Sequence, residues 1–195
     1  IKRLEEDASV ETVLALDIRR PAFPLDKTQY VRVDLTLPNV DATLAELLAD
    51  HHVDALLHGA FLSHPTHNSA WAHELEEIGS MHVINACAEA KVHKLVLSST
   101  TMVYGARPHN PNFLSEDHEL KGQPGSRYVT DRVGAEKMAQ RFQSEHPERI
   151  ATSLRVAPRS CCRPRSNWMI SSPVWESRLP VGSSASRSFG ALIKA

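Results

Sequence analysis

The stretch His93-Lys94-Leu95-Val96-Leu97-Ser98-Ser99 is a short apolar run that ends in hydroxyls, and a polar, Pro-containing segment from Gly105 to Arg127 follows it. A run of this length predicts a buried strand. On its N-terminal side, Leu75, Ile78, Val83 and Ala86 recur at helical spacing between Ser69 and Ala90, and Val53 to His58 is another apolar run. Further back lie a helix with Leu44, Leu47 and Leu48, capped by Asn39 or Asp41 and ending near Asp50, and strands at Tyr30–Asp34 and Thr12–Asp17. On the C-terminal side, Tyr128–Ser144 places Val133, Met138 and Phe142 on one helical face, and Ala151–Val156 reads as a fifth strand. Short buried strands alternating with helices predict an α/β fold built on a doubly wound parallel sheet, because parallel neighbours need crossover connections.

The 195 residues and near-average hydrophobic content (42%) suit one globular domain. Net charge is −1, but the two ends differ. Residues 1–158 carry 16 Lys and Arg against 22 Asp and Glu, whereas residues 159–195 carry 6 against 1 and hold 9 serines. All 11 histidines lie between His51 and His146. We therefore divide the chain into an acidic α/β part, 1–158, and a basic, Ser-rich tail, 159–195, expected to be irregular. A shift of reading frame near residues 158–160, or a divergent natural tail, would each produce this break. The opening residues Ile1–Asp7 have no signal-peptide pattern and read as the end of a helix already under way. Three cysteines, two of them the neighbours Cys161 and Cys162, make no disulfide framework, and no run reaches the roughly 18 apolar residues of a membrane span. A cytoplasmic protein is expected.

Ligands of doubly wound sheets bind beyond the carboxyl ends of the strands, so the chemistry-bearing residues there matter most. Asp17 ends the first strand, where a carboxylate can accept hydrogen bonds from a ribose diol; the nearby Arg19 and Arg20 could hold a phosphate instead. His58-Gly59-Ala60 ends the third strand in small residues that admit a ligand close to the backbone. Ser98-Ser99-Thr100-Thr101 brings hydroxyls to the same edge, able to donate to a substrate carbonyl. Tyr128 and Arg132, four apart, share a helix face, and a cation beside a phenol lowers its pKa from about 10 toward acid–base use.

The run Ser98-Ser99-Thr100-Thr101-Met102-Val103-Tyr104-Gly105 together with Tyr128-x-x-x-Arg132 resembles the extended short-chain dehydrogenases/reductases, the NAD-dependent epimerases and dehydratases of sugar nucleotides. Val33-Asp34-Leu35, Val53–Ala60 and Leu154–Pro158 fall in that family's order, so the resemblance covers roughly residues 8–158. It implies a Rossmann-like sheet and NAD as cofactor, with NADP as the alternative. It implies a small-molecule substrate such as a sugar nucleotide, and dimerisation through the helices 69–90 and 128–144. By the same resemblance Thr100 would bind the substrate carbonyl or hydroxyl, and Tyr128, with Arg132 beside it, would move the proton. Asp17 would hold the adenosine ribose, Asp34 and Leu35 the adenine, His58, Gly59 and Ala60 would run beneath the cofactor, and Ser98 would lie near the nicotinamide.

The sequence departs from the family in two places that bear on activity. The family's Gly-x-x-Gly-x-x-Gly turn and the first, central strand before it would lie upstream of Ile1, leaving the sheet incomplete. Arg132 stands where the family has Lys, and its planar fork directs hydrogen bonds differently. The alternative function is a non-catalytic nucleotide-binding or regulatory relative, or an inactive fragment. No metal site is expected: His64 and His67 form the histidine pair nearest to a ligand spacing, Pro65 opposes their helical pairing, and no Cys or carboxylate set stands at a recognised ligand spacing. Arg159, Arg163 and Arg165 lack interleaved aromatics, so no nucleic-acid partner is expected.

Overall fold

A computed structural model describes residues 1–22, 26–111, 113–156 and 188–194. A short helix α1 (Lys2–Glu6) leads into β1 (Val10–Asp17) and β2 (Thr28–Arg32), and α2 (Val40–Asp50) leads into β3 (Val53–Gly59). A long helix then runs without a break through α3 (Ser69–His73), a π-helical turn (Glu74–Ile78) and α4 (Gly79–Glu89). After β4 (Lys94–Thr100) comes a 3-10 turn (Thr101–Tyr104), a long loop, α5 (Arg127–Glu145), β5 (Ile150–Val156) and finally β6 (Ser188–Lys194). The strands form one sheet in the order β2-β1-β6-β3-β4-β5, parallel at every junction. The expected parallel α/β architecture is therefore present.

Local sequence accounts for the element ends. Asn39 precedes α2 in the left-handed conformation (φ 59°), which asparagine tolerates, although its side chain makes no capping bond. At α3, Asn68 accepts from the Trp71 amide and caps the helix. The 3-10 turn closes at Gly105 with φ 73°, where a Cβ would stand 2.1 Å from the Gly122 carbonyl oxygen. Only glycine fits there.

Burial alternates along β4: Leu95, Leu97 and Ser99 are buried, while Lys94, Val96 and Ser98 are half-buried. Against this buried face α2, α4 and α5 pack side by side, joining Leu14, Leu16, Leu44, Leu56, Val83, Ala86, Ala135 and Phe142 in one core. A buried ionic brace ties α5 to the sheet. Glu136 accepts from Ser99 Oγ and from the Arg155 guanidinium, which also donates to Tyr104 Oη at 2.7 Å.

The tail departs from expectation at residues 188–194. Instead of irregular chain, these residues form β6 between β1 and β3, with Ala191 in register with Leu14 on one side and Leu56 on the other. The position between β1 and β3 is thus filled by residues 188–194. Buried β1 and β3 would otherwise face each other across unpaired backbone donors and acceptors, which is costly away from water. Residues 159–187, also expected to be irregular, lie outside the described residues.

Candidate functional site

Tyr128 and Arg132 occupy the first turns of α5 and converge on one backbone group. Tyr128 Oη donates to the Leu62 carbonyl at 3.1 Å, and Arg132 Nη2 donates to the same oxygen. The guanidinium lies over the Tyr128 ring at 4.9 Å and over the Phe61 ring at 4.7 Å. Sequence spacing alone places the cation beside the phenol, and the structure brings the two together.

The electrostatic outcome differs from the expectation. Burial pushes the Tyr128 phenol above its ordinary value, Arg132 opposes this only in part, and Glu76 reinforces it. Glu76 is the residue that sequence reading missed. It sits in the buried stripe of the long helix with Ala72, Leu75, Gly79 and Ser80, fully out of water. Its Oε1 accepts from the Leu62 amide at 2.9 Å and from Arg132 Nη2 at 3.1 Å. Burial raises the Glu76 carboxyl, and Arg132 pulls in the other direction. The positive charge beside Tyr128 is therefore shared with a carboxylate. A charged residue at an apolar-stripe position is the signal in the sequence that marks it.

The hydroxyls at the end of β4 divide by role. Thr100 is nearly buried, and its Oγ1 accepts from the Met102 amide at 3.4 Å at the start of the 3-10 turn. Ser99 is committed to Glu136, whereas Ser98 is half-buried on the opposite side of the strand.

At the end of β1 the Asp17 carboxylate is half-buried, with Oδ1 accepting from the Arg19 amide at 2.9 Å. Asp34 Oδ1 accepts from the Thr36 amide at 3.0 Å and the Thr36 hydroxyl at 2.7 Å, shaping the turn after β2. Leu35 is buried and packs on Gly79, whose missing Cβ would stand 3.1 Å from Leu35 Cβ. His58 turns its side chain inward: Ser80 Oγ donates to the Glu76 carbonyl, so it accepts from His58 Nε2–H at 2.9 Å, leaving Nδ1 as the unpartnered nitrogen. Burial and Arg132 push this imidazole down to about 3, so it is neutral. At this strand end only the backbone of His58, Gly59 and Ala60 can border a ligand. The strand-end carboxylate, the small residues at the end of β3 and the hydroxyls at the end of β4 are groups of a kind that can border a dinucleotide. The chain contains no Gly-x-x-Gly-x-x-Gly turn for its pyrophosphate.

A parallel sheet with these residues gathered at one strand edge defines a Rossmann-like domain. Residues 1–159 match the model of the NAD dependent epimerase/dehydratase family, and the chain belongs to that family. Uncharacterised proteins of Mycobacterium bovis and Mycobacterium tuberculosis are 28% identical over 162 residues, covering 80% of this chain and 42% of their own length. Among solved structures, the dTDP-glucose 4,6-dehydratase DesIV of Streptomyces venezuelae, with NAD bound, has a TM-score of 0.62 at 21% identity, covering 75% of this chain and 46% of that one. The Bordetella bronchiseptica enzyme WbmH in complex with NAD+ has a TM-score of 0.61 at 19% identity, over 75% and 47% respectively. Both show the shared fold. The chain spans less than half the length of these relatives.

Proposed function

We propose that this chain is the cofactor-handling part of an NAD-dependent oxidoreductase of epimerase/dehydratase type, acting on a sugar nucleotide or a similar hydroxyl or carbonyl substrate. The observation that carries this reading is the convergence of Tyr128 and Arg132 beside the strand-end residues of the ligand edge. Family membership and the NAD-bound structural neighbours support it. NAD, when bound, supplies the hydride acceptor or donor. Asp17 accepts from the adenosine ribose, Asp34 and Leu35 border the adenine, and Ser98 lies toward the nicotinamide. Thr100 Oγ1 donates to the substrate oxygen as it becomes a carbonyl, and Tyr128 Oη takes or returns its proton. Arg132 supplies positive charge next to the phenol. The reading includes a cytoplasmic setting and pairing of two copies through the long helices. Among the described residues no helix is long and apolar enough to cross a membrane.

The Glu76–Arg132 ion pair favours a second reading, a non-catalytic nucleotide-binding relative or inactive fragment, because it diverts charge from Tyr128. Titration of the chain with NAD and NADP to millimolar concentration, followed by intrinsic fluorescence and thermal unfolding, separates the two. Saturable binding with epimerised or dehydrated product from UDP- or dTDP-hexoses, abolished by Tyr128→Phe without loss of binding, supports the first. Binding without product, or absence of binding by both readouts, leaves the second.

A further inference from the structure

Away from Tyr128 and Glu76, three side chains with metal-ligating atoms meet where α3, the π-helical turn and α5 pack. His73 and Glu77 are four apart on the long helix, and Asp131 projects from α5. His73 Nδ1 lies 3.0 Å from Asp131 Oδ1 and 3.4 Å from Glu77 Oε2. One potential ligand atom from each residue falls within 4.8 Å of the others. Ligands on a tetrahedral cation at bonds of about 2.0 Å stand about 3.3 Å apart, so the two measured separations bracket that edge length.

Two further features point to a cation. Asp131 has a side chain only 3% exposed, yet its Oδ2 has no hydrogen-bond partner. A buried, unpartnered carboxylate oxygen beside a second carboxylate lacks the compensation that burial demands. In addition, Gly134 lies one turn beyond Asp131, and a Cβ there would stand 2.8 Å from the Glu77 carboxylate. The bare backbone leaves the space in which that carboxylate turns toward Asp131. His73 and Glu77 are partly exposed, at 27% and 33%, which leaves solvent access for water ligands. His73 and, after it, the exposed Arg127 are the opposing charges that act on Glu77.

We propose that His73, Glu77 and Asp131 form a site for a divalent transition-metal cation of zinc type, bound through one imidazole nitrogen and two carboxylate oxygens with water completing the shell. The imidazole selects a borderline cation over magnesium or calcium, which take oxygen ligands. Such a cation would displace the proton shared between His73 and Asp131 and cross-link the long helix to α5.

The test uses the tag-free chain, stripped with a chelator and dialysed against zinc. About one zinc per chain, retained against excess magnesium, is the expected result. Asp131→Asn and His73→Ala should each weaken zinc binding about tenfold or more. Gly134→Ala provides a variant that keeps all three ligands; its methyl should displace the flexible end of Glu77, weakening zinc while preserving the thermal transition. The exposed pair is controlled by His64→Ala and His67→Ala, which should leave zinc binding unchanged. No retained zinc, equal binding by the wild type, Asp131→Asn and Gly134→Ala, or loss of binding in His67→Ala instead would overturn the assignment.

Discussion

Glu76 on the long helix and Arg132 on α5 form an ion pair at 3.1 Å, with side chains 0% and 6% exposed. Each is the other's charge compensation in a site closed to solvent, and both also bond to Leu62. Removing one partner leaves a buried charge. Arg132→Met and Glu76→Leu should each destabilise the fold, Arg132→Met by about 3–5 kcal/mol, whereas the double substitution Glu76→Leu/Arg132→Met should recover most of that loss. Urea denaturation of the four proteins measures the coupling; additive losses would show the pair to be unimportant.

Tyr128 should titrate late. Burial holds its phenol above the ordinary value of 10.0, and Glu76 adds to the shift. The difference in tyrosinate absorbance between wild type and Tyr128→Phe isolates this group from Tyr30 and Tyr104. Its midpoint should lie above that of a free tyrosine, and Glu76→Gln should move it down, since a neutral amide leaves Arg132 unopposed. A midpoint below the ordinary value would mean that Arg132 dominates after all.

His58 should make the protein acid-sensitive. Its folded-state pKa is about 3 against an ordinary 6.5, so below 6.5 the unfolded chain binds a proton that the folded chain excludes. The stability associated with neutral His58 is complete above pH 6.5 and declines as pH falls toward 3, by about 1.4 kcal/mol per pH unit at most. His58→Asn retains a donor for Ser80 and does not titrate. Its denaturation free energy should fall less steeply between pH 6 and pH 4, two values inside that window; parallel slopes would dismiss His58 as the cause.

Gly105→Ala should be severe. The backbone there has φ 73°, and the added methyl would stand 2.1 Å from a carbonyl oxygen that cannot swing aside as a side chain could. A loss of at least about 2 kcal/mol is expected. By contrast, Gly125→Ala, at φ 77° with nothing within 4 Å of the new methyl, should cost only about 1 kcal/mol of backbone strain. Thermal unfolding of the two variants separates steric clash from strain.

Leu192 is in register with Ala15 of β1 and Leu57 of β3, so its residue position belongs to a central strand. Proline there removes a ladder donor and should cost about 3 kcal/mol or more. A near-neutral Leu192→Pro would show that β6 is not part of the stable sheet.

The alternation of apolar runs and helical spacings made five of the six strands legible, because each buried strand carries its own hydrophobic signature. β6 was not legible. Its residues, Ser188–Lys194, form a short run inside a Ser-rich, basic stretch, and their place is decided by the open edges of β1 and β3 rather than by local pattern. At the candidate site, the pairing of Tyr128 with Arg132 follows from a four-residue spacing within one helix. The contact of Glu76 with Arg132 is not legible because the two lie 56 residues apart, and no periodicity encodes a contact between helices. The same distance hid the meeting of His73 with Asp131, 58 residues apart.

The position of β6 also orders events in time. β1 and β3 leave the ribosome early, but the strand between them is made only when synthesis reaches residues 188–194. Without that strand the order divides into β2-β1 and β3-β4-β5, each with an open inner edge. Closure is therefore a step of long sequence separation, slow by its topology, and the interval before it is when the chain is most exposed to pairing with a neighbouring copy.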